Sequence, residues 1–401
     1  MSGRQRRPPR RGRPPRTAKG RSYVGTRHEL VVGPVAHGGH FVARIPVPGA
    51  AEGQSRVVFV RHALPGERVV VEITEGSQDD RFWRGDAIDV LTASADRVAP
   101  PCPYAGPGLC GGCDFQHVQL AAQRGLKATV VREQLVRLAG LAPDDPMVSD
   151  LRVEAVPGDE DTDRGLRWRT RQRYLALPGG RGLRKHRSHE AVEIDDCLIA
   201  RHDAREPGPG IVVESVAAGG TEHGFEVAAD GFWQVHPGAP RVLVDAVLGA
   251  LDPKPGESVL DLYAGVGLFS AFLADRVGPE GRVIAVEGDP IASALSAGNV
   301  PQAEVAAGDV AAVLGSTYPE AVDLVVLDPP REGARRAVVE AVVGRNPRAV
   351  AYVACDPAAL ARDLAIFAEH GYRLASLRAF DLFPMTHHVE CVVLLTPSAP
   401  D

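Results

Sequence analysis

Two hydrophobic periods divide this chain. From about residue 26 to 91, apolar residues fall in short runs separated by glycines: Leu30-Val31-Val32, Arg56-Val57-Val58-Phe59-Val60 and Arg68-Val69-Val70-Val71-Glu72. Side chains on a strand alternate between two faces, so such runs, punctuated by turns, predict a small closed β-barrel of the OB type. Beyond about residue 236 the runs become almost wholly apolar, as in Ser258-Val259-Leu260, Arg282-Val283-Ile284-Ala285-Val286 and Leu324-Val325-Val326-Leu327. Strands without a polar face belong to a parallel sheet covered on both sides. The order strand, glycine turn, amphipathic helix, strand predicts a doubly wound, Rossmann-like α/β domain. The stretch between, with strand and helix signals mixed, reads as a middle α+β domain. One strand there, residues 167–174, sets Arg167, Arg169, Arg171 and Arg173 on one face by the two-residue period, a row that phosphates would satisfy. The expected layout is 1–22 a basic arm, 23–93 the barrel, 94–235 the middle domain and 236–401 the Rossmann-like domain.

Composition adds three things. A chain of 401 residues with 44% hydrophobic content can build two or three cores, and it holds no apolar stretch of membrane-spanning length. Residues 1–22 carry eight Arg, one Lys, four Pro and no acid, the composition of a segment that cannot fold alone. With a whole-chain charge of −6, removing this arm's +9 leaves −15, so RNA binding would depend on the arm and on local basic patches. No secretory leader is apparent, which points to a cytoplasmic protein and away from disulfides among its six cysteines. A monomer is the default expectation.

The candidate chemistry gathers at strand ends. The first strand of the C-terminal domain runs through Asp261 into Tyr263-Ala264-Gly265-Val266-Gly267, the second ends in Glu287, and the central one ends in Asp328-Pro329-Pro330-Arg331. Glycines let backbone approach a ligand, and an acid at the tip of the second strand can take ribose hydroxyls. The third glycine of a dinucleotide fingerprint is missing, so S-adenosylmethionine suits the loop better than a pyrophosphate. Downstream, Cys355 closes one hydrophobic run and Glu390 opens another, a nucleophile and a proton acceptor at neighbouring strand termini. A cysteine there can also be a small buried hydrophobe, and the nearby cofactor loop is what favours chemistry. Cys391, inside its apolar run, reads as packing, and His387 and His388 as turn-formers.

These motifs together resemble the uracil-C5 RNA methyltransferases, which make 5-methyluridine in transfer or ribosomal RNA. The matching stretches are Phe232-Trp233-Gln234, the Asp261–Ser270 loop, Glu287, Asp309, Asp328-Pro329-Pro330-Arg331, Cys355-Asp356-Pro357 and His387-His388-Val389-Glu390. The resemblance continues upstream through a cysteine cluster to the barrel, which is similar to the RNA-binding TRAM domain. It implies that Gln234, Tyr263, Glu287 and Asp328 contact the cofactor with Asp309 nearby, that Cys355 is the nucleophile and that Glu390 is the base. In that chemistry a thiolate adds to carbon 6 of uracil, carbon 5 becomes nucleophilic enough to take a methyl group, and a base then removes the carbon-5 proton. The target base must be flipped out or taken from a loop. Three positions depart from the family's usual residues: Asp356 and His236 where Asn is common, and Leu268 where Asn or Thr is common. Methylation of cytosine and a non-catalytic RNA-binding role stand as alternatives; Arg331 after Asp-Pro-Pro, where an aromatic would be expected, argues against nitrogen methylation.

Cys102, Cys110 and Cys113 form a Cys-x7-Cys-x2-Cys pattern, and Cys197 completes four thiols. Spacing alone leaves zinc and an iron–sulfur cluster both open, with the solitary fourth cysteine unlike a zinc ribbon's two close pairs. The resemblance implies a 4Fe-4S cluster, which one branch of the family carries on a similar cysteine pattern.

Overall fold

The computed structural model describes residues 20–46, 55–157 and 165–398. The basic arm lies outside them up to residue 19. Two compact units emerge: one built on the residues up to Pro34 with Phe41–Ser94, the other on Val35–His40 with the chain from Ala95 onward.

The first unit is the β-structure expected from the alternating runs. Its sheet orders the strands β1 (Arg27–Val31), β5 (Arg68–Glu75), β6 (Phe82–Thr92), β4 (Ser55–Arg61) and β3 (His40–Pro46), while the short β2 (Val35–Ala36) falls in the second unit. Just beyond β1, the Gly33 amide donates to the Val42 carbonyl and the Val42 amide to the Pro34 carbonyl. The end of one edge thereby reaches β3 and curls the sheet toward a barrel. Burial alternates along β3 and β5, with Phe41, Ala43, Ile45, Val69, Val71 and Ile73 inside.

The second unit begins with α1 (Leu120–Leu138), α2 (Pro146–Ser149) and β7 (Val153–Glu154). Small sheets follow, built from β8 (Arg169–Arg171), β9 (Leu175–Leu177), β10 (Gly180–Arg184), β11 (Ala191–Ile194), β12 (Ala200–Arg205) and the hairpin β13 (Ile211–Ala218) and β14 (Thr221–Ala228). After α3 (Ala239–Leu251) come β15 (Ser258–Leu262), α4 (Leu268–Val277), β16 (Arg282–Glu287), α5 (Pro290–Asn299), β17 (Glu304–Ala307) and α6 (Val310–Ser316). The chain closes with β18 (Leu324–Leu327), α7 (Arg335–Val343), β19 (Ala349–Ala354), α8 (Pro357–Glu369), β20 (Tyr372–Phe380) and β21 (Glu390–Pro397).

Eight strands form one sheet in the order β17-β16-β15-β18-β19-β21-β20-β7. From β17 to β19 the pairs are parallel, whereas β21 enters antiparallel between β19 and β20. β18 and β19 are buried at every residue because helices cover both faces. Alternate side chains feed two cores. Leu260, Ile284, Val325 and Tyr352 join one, Val259, Val283, Val326 and Val353 the other, and Cys391 packs in the first as its apolar run implied. β7, from the middle stretch, extends the sheet along β20, so this stretch shares the Rossmann-like framework.

The arginine row does not form as the period suggested. Only Arg169–Arg171 is strand, because Arg167 takes a left-handed backbone with φ 55°. The guanidiniums find protein acceptors instead: Arg167 pairs with Asp196, Arg169 donates to the Arg171 carbonyl and Arg171 to the Gly231 carbonyl. Partly buried cations need such acceptors before they can meet a ligand, and no strand period reveals them.

Candidate active site

The parallel strands deliver their carboxyl ends, and with them the candidate residues, to one edge of the sheet. At the end of β15 the backbone turns through Tyr263 (φ 65°), Gly265 (φ 58°) and Gly267 (φ 92°). Gly267 is doubly constrained, since a Cβ there would lie 2.8 Å from Val300 Cγ2 and 2.9 Å from Ser296 Oγ. Glu287, ending β16, accepts from the Gly265 amide at 2.8 Å and the Asp289 amide at 2.6 Å, so it clamps the glycine turn. Burial pushes the Tyr263 phenol up to about 12, helped by the charges of Asp309 and Asp363. Asp309 therefore stands near Tyr263, and it also caps α6 through the Ala312 amide.

Two further acids face inward. Asp261 is fully buried and accepts from Ser270 Oγ at 2.5 Å, while its Oδ1 has no hydrogen-bond partner. Burial, with the Glu287 charge, pushes its carboxyl up to about 6. Asp328, just past β18, is pushed up to about 7 by burial and by the Asp261 and Glu287 charges. Crowded carboxylates with a bare buried oxygen fit a cationic ligand. Gln234 is half-buried on the loop between β14 and α3, where Thr170 bonds the adjacent Val235 carbonyl through both its amide and its hydroxyl.

The antiparallel entry of β21 decides the next pairing. Ala354 is opposite Cys391, so one more step sets Cys355 against Glu390. Burial pushes the Cys355 thiol up to about 12, the Glu390 and Asp328 charges add to this, and Arg331 opposes it. Glu390 is buried and its carboxyl is held well above the usual range, first by desolvation and then by Asp328. A cavity of about 220 Å³ opens over Cys355, with Arg331, Asp356, His37, Lys127 and His388 in its wall.

Of these residues, His37 and Lys127 were not singled out from the sequence. Arg331 bonds His388 Nε2 at 3.2 Å. Asp356 caps α8 through the Ala359 amide at 2.8 Å and meets His37 Nε2 at 3.0 Å, across 319 residues. Lys127 is buried on α1, bonded to Asp381 at 2.5 Å and to the Phe383 carbonyl at 3.0 Å. Gln123, one turn earlier, accepts from the Met385 amide at 2.8 Å. Helix α1 thus anchors the loop that leads into Glu390. The signal for Arg331 lay in the Asp-Pro-Pro-Arg run; for His37 and Lys127 there was none, because their partners are remote. Of the three departures, Leu268 and His236 are structural. Leu268 is buried in the second core, and His236 stacks on Trp168 and accepts from the Gly238 amide.

Cys102, Cys110, Cys113 and Cys197 line one separate cavity of about 400 Å³, together with Arg169, Lys185 and Arg187. None forms a disulfide. Burial raises the Cys113 thiol, and the Cys197 and Cys110 charges raise it further, as mutual proximity requires. Among the described residues no three or more His, Cys, Asp or Glu side chains are grouped to hold a metal ion. A zinc tetrahedron needs sulfurs only about 3.8 Å apart, from Zn–S bonds of about 2.3 Å. Arg169, Arg173, Lys185 and Arg187 make much of that cavity's wall cationic, with Asp196 among them.

Residues 316–398 match the tRNA (uracil-5-)-methyltransferase family and residues 21–87 the TRAM domain. An uncharacterized RNA methyltransferase of Streptomyces avermitilis is 44% identical, over 94% of this chain and 99% of its own length. The 23S rRNA (uracil(1939)-C(5))-methyltransferase of Chromohalobacter salexigens is 30% identical, over 97% of this chain and 95% of its own. Among solved structures, the Pyrococcus abyssi tRNA (uracil-54, C5)-methyltransferase with S-adenosyl-L-homocysteine aligns with a TM-score of 0.63 at 20% identity, over 88% of this chain and 99% of that one.

Proposed function

The chain belongs to the RNA (uracil-5-)-methyltransferase family, and from that premise we propose a covalent route through Cys355 and Glu390 acting on ribosomal RNA. It is an S-adenosylmethionine-dependent RNA uracil-C5 methyltransferase with a TRAM domain on its N-terminal side. The observation that carries the proposed route is the strand register that sets Cys355 beside Glu390.

Cys355 sulfur, as thiolate, adds to carbon 6 of the uracil, and the ring's electrons collect at carbon 5 and the carbonyl oxygen. Bound S-adenosylmethionine supplies the electrophilic methyl group that carbon 5 takes. Glu390, as carboxylate, removes the carbon-5 proton; the freed pair re-forms the 5,6 double bond and Cys355 leaves as thiolate. Arg331 favours the thiolate against the neighbouring acids. Tyr263, Glu287 and Asp328, with Asp309 nearby, line the cofactor's side, and Gln234 approaches from the β14–α3 loop. The carboxylates at the glycine turn match the sulfonium and ammonium charges.

That charge match predicts a pH dependence. Burial, with the neighbouring carboxylates, pushes Asp261 up to about 6 and Asp328 up to about 7, above their ordinary 3.8. The folded state then holds more protons than the unfolded one between roughly pH 4 and 7, so the ligand-free protein loses stability as pH rises through that window. A cation bound beside the acids offsets the loss. The rise in melting temperature on adding S-adenosylmethionine is therefore expected to be larger at pH 8 than at pH 5.5; an equal or smaller rise at pH 8 would refute the charge argument.

Ribosomal RNA is favoured over transfer RNA because a relative aligned over nearly its whole length is named for 23S rRNA, whereas the 20% likeness to a tRNA enzyme bears on fold alone. The four cysteines would hold a 4Fe-4S cluster with a structural or redox role. Nucleoside mass spectrometry tests the reading on separated tRNA and rRNA from a deletion strain, treated with enzyme and methyl-labelled S-adenosylmethionine. Labelled 5-methyluridine should appear in rRNA; label in tRNA would redirect the substrate, and label on cytidine would overturn uracil. Iron analysis of anaerobically purified protein should find the metal and lose it in Cys113→Ser, whereas zinc in its place would displace the cluster.

A further inference from the structure

We infer that His388 is a positioning residue for this reaction: its ring nitrogen holds the Arg331 guanidinium where it favours the Cys355 thiolate. The inference rests on the reading of Cys355 as nucleophile. A guanidinium is always a donor and never an acceptor. The 3.2 Å contact between Arg331 and His388 Nε2 therefore requires a lone pair on Nε2, and so a neutral ring with its proton on Nδ1. The surroundings enforce that state. Burial, followed by the neighbouring His387 and Arg331, pushes the imidazole down to about 3, with Asp114 acting in the opposite sense and Lys127 adding to the lowering.

The ring is held from behind as well. It packs edge-on to Phe383 at 5.8 Å and lies 4.1 Å from the His387 ring. His387 Nδ1 meets Asp114 Oδ2 at 2.6 Å, and the His387 amide donates to the same oxygen. Asp114 and Phe115 amides both donate to the Met385 carbonyl, which ties this loop down at its start. Gly39, with φ 74°, closes over it so tightly that a Cβ would sit 2.8 Å from the Cβ of His387.

What Arg331 faces explains why its orientation matters. Around the Cys355 sulfur, Glu390, Asp328 and Asp356 all oppose the thiolate, and Arg331 favours it. His37, on the same cavity wall, is engaged by Asp356. A long flexible arginine at an exposed position is a weak counter-charge unless something fixes it, because an unfixed side chain spreads over many rotamers. A protonated His388 would lose its acceptor and repel Arg331; a neutral one fixes it.

The test follows the thiol itself. Iodoacetamide alkylation of the full-length protein, read by peptide mass spectrometry so that Cys355 is separated from the other five cysteines, gives its rate against pH. His388→Phe keeps the packing ring and removes the acceptor; Cys355 alkylation should slow about tenfold at every pH from about 7 to 9, which corresponds to a thiol raised by about one unit. His388→Gln returns an acceptor near Nε2 and should stay within about twofold of wild type. A wild-type profile in His388→Phe overturns the inference. If that variant fails to fold, imidazole ¹H–¹⁵N correlation spectra of the wild type decide it: His388 must be the neutral Nδ1–H tautomer from pH 6 to 8, and any other state overturns it. Cys355→Ser separates the two readings. Methyl transfer surviving in that variant removes the nucleophile premise, whereas a dead Cys355→Ser with an unmoved thiol in His388→Phe removes this inference alone.

Discussion

Cys355→Ala is expected to abolish methyl transfer, by about 10⁴-fold or more, while leaving the fold and S-adenosylmethionine binding intact. The size follows from what the thiolate does. Without addition at carbon 6, carbon 5 of uracil is too poor a nucleophile for the methyl group, and losses of a covalent nucleophile are commonly of this order or larger. Stability should barely move. Cys355 is half-buried just past the end of β19, so trimming its sulfur costs about 1 kcal/mol or less. The measurement is incorporation of labelled methyl groups into rRNA, beside a melting curve with and without cofactor. Turnover at even a hundredth of the wild-type rate would end the covalent reading, and a collapsed melting curve would recast Cys355 as structural.

Glu390→Gln should behave differently: the enzyme reacts once and stays attached to its RNA. The amide keeps the shape of the side chain at the start of β21 but cannot accept the carbon-5 proton. Addition and methylation proceed, elimination does not, and the adduct accumulates as a slow band on a denaturing gel. Turnover should fall by about 10²- to 10⁴-fold. The same burial gives the wild type a pH dependence. The Glu390 carboxyl is held well above its usual range, first by burial and then by the Asp328 charge. A base must be ionised to accept a proton, so the elimination step should quicken as pH rises through that raised value and level off above it. Free release of methylated RNA by Glu390→Gln would transfer the proton-removing role elsewhere.

Much of the fold was legible because it is built on local periods. Alternation between residues 26 and 91 spelled out half-buried barrel strands, and continuous apolar runs such as Leu324–Leu327 spelled out strands covered on both sides. The glycine turn after β15 was legible for the same reason. Gly265 and Gly267 adopt positive φ values two residues apart, a conformation that glycine takes without steric cost. Cys355 and Glu390 stood out as polar residues ending apolar runs. The arginine row failed because the period was right for a longer strand than the chain makes, and partners such as Asp196 and the Gly231 carbonyl claim the guanidiniums.

By itself, then, the sequence determined the two architectures, the order of the parallel strands' polar tips and the choice of Cys355 and Glu390 as the candidate pair, since each depends on residues close together in the chain. Tertiary structure alone decided that the pair meets, because this required β21 to enter antiparallel beside β19 and bring its first residue opposite the position just past the other strand's end. It also decided what surrounds the pair. Asp356 finds His37 across 319 residues, Lys127 finds Asp381 across 254, and Arg331 finds His388 across 57. Contacts of that span are set by how whole elements pack, so no short pattern can carry them. The charges that raise or lower the Cys355 thiol exist only once the chain has folded.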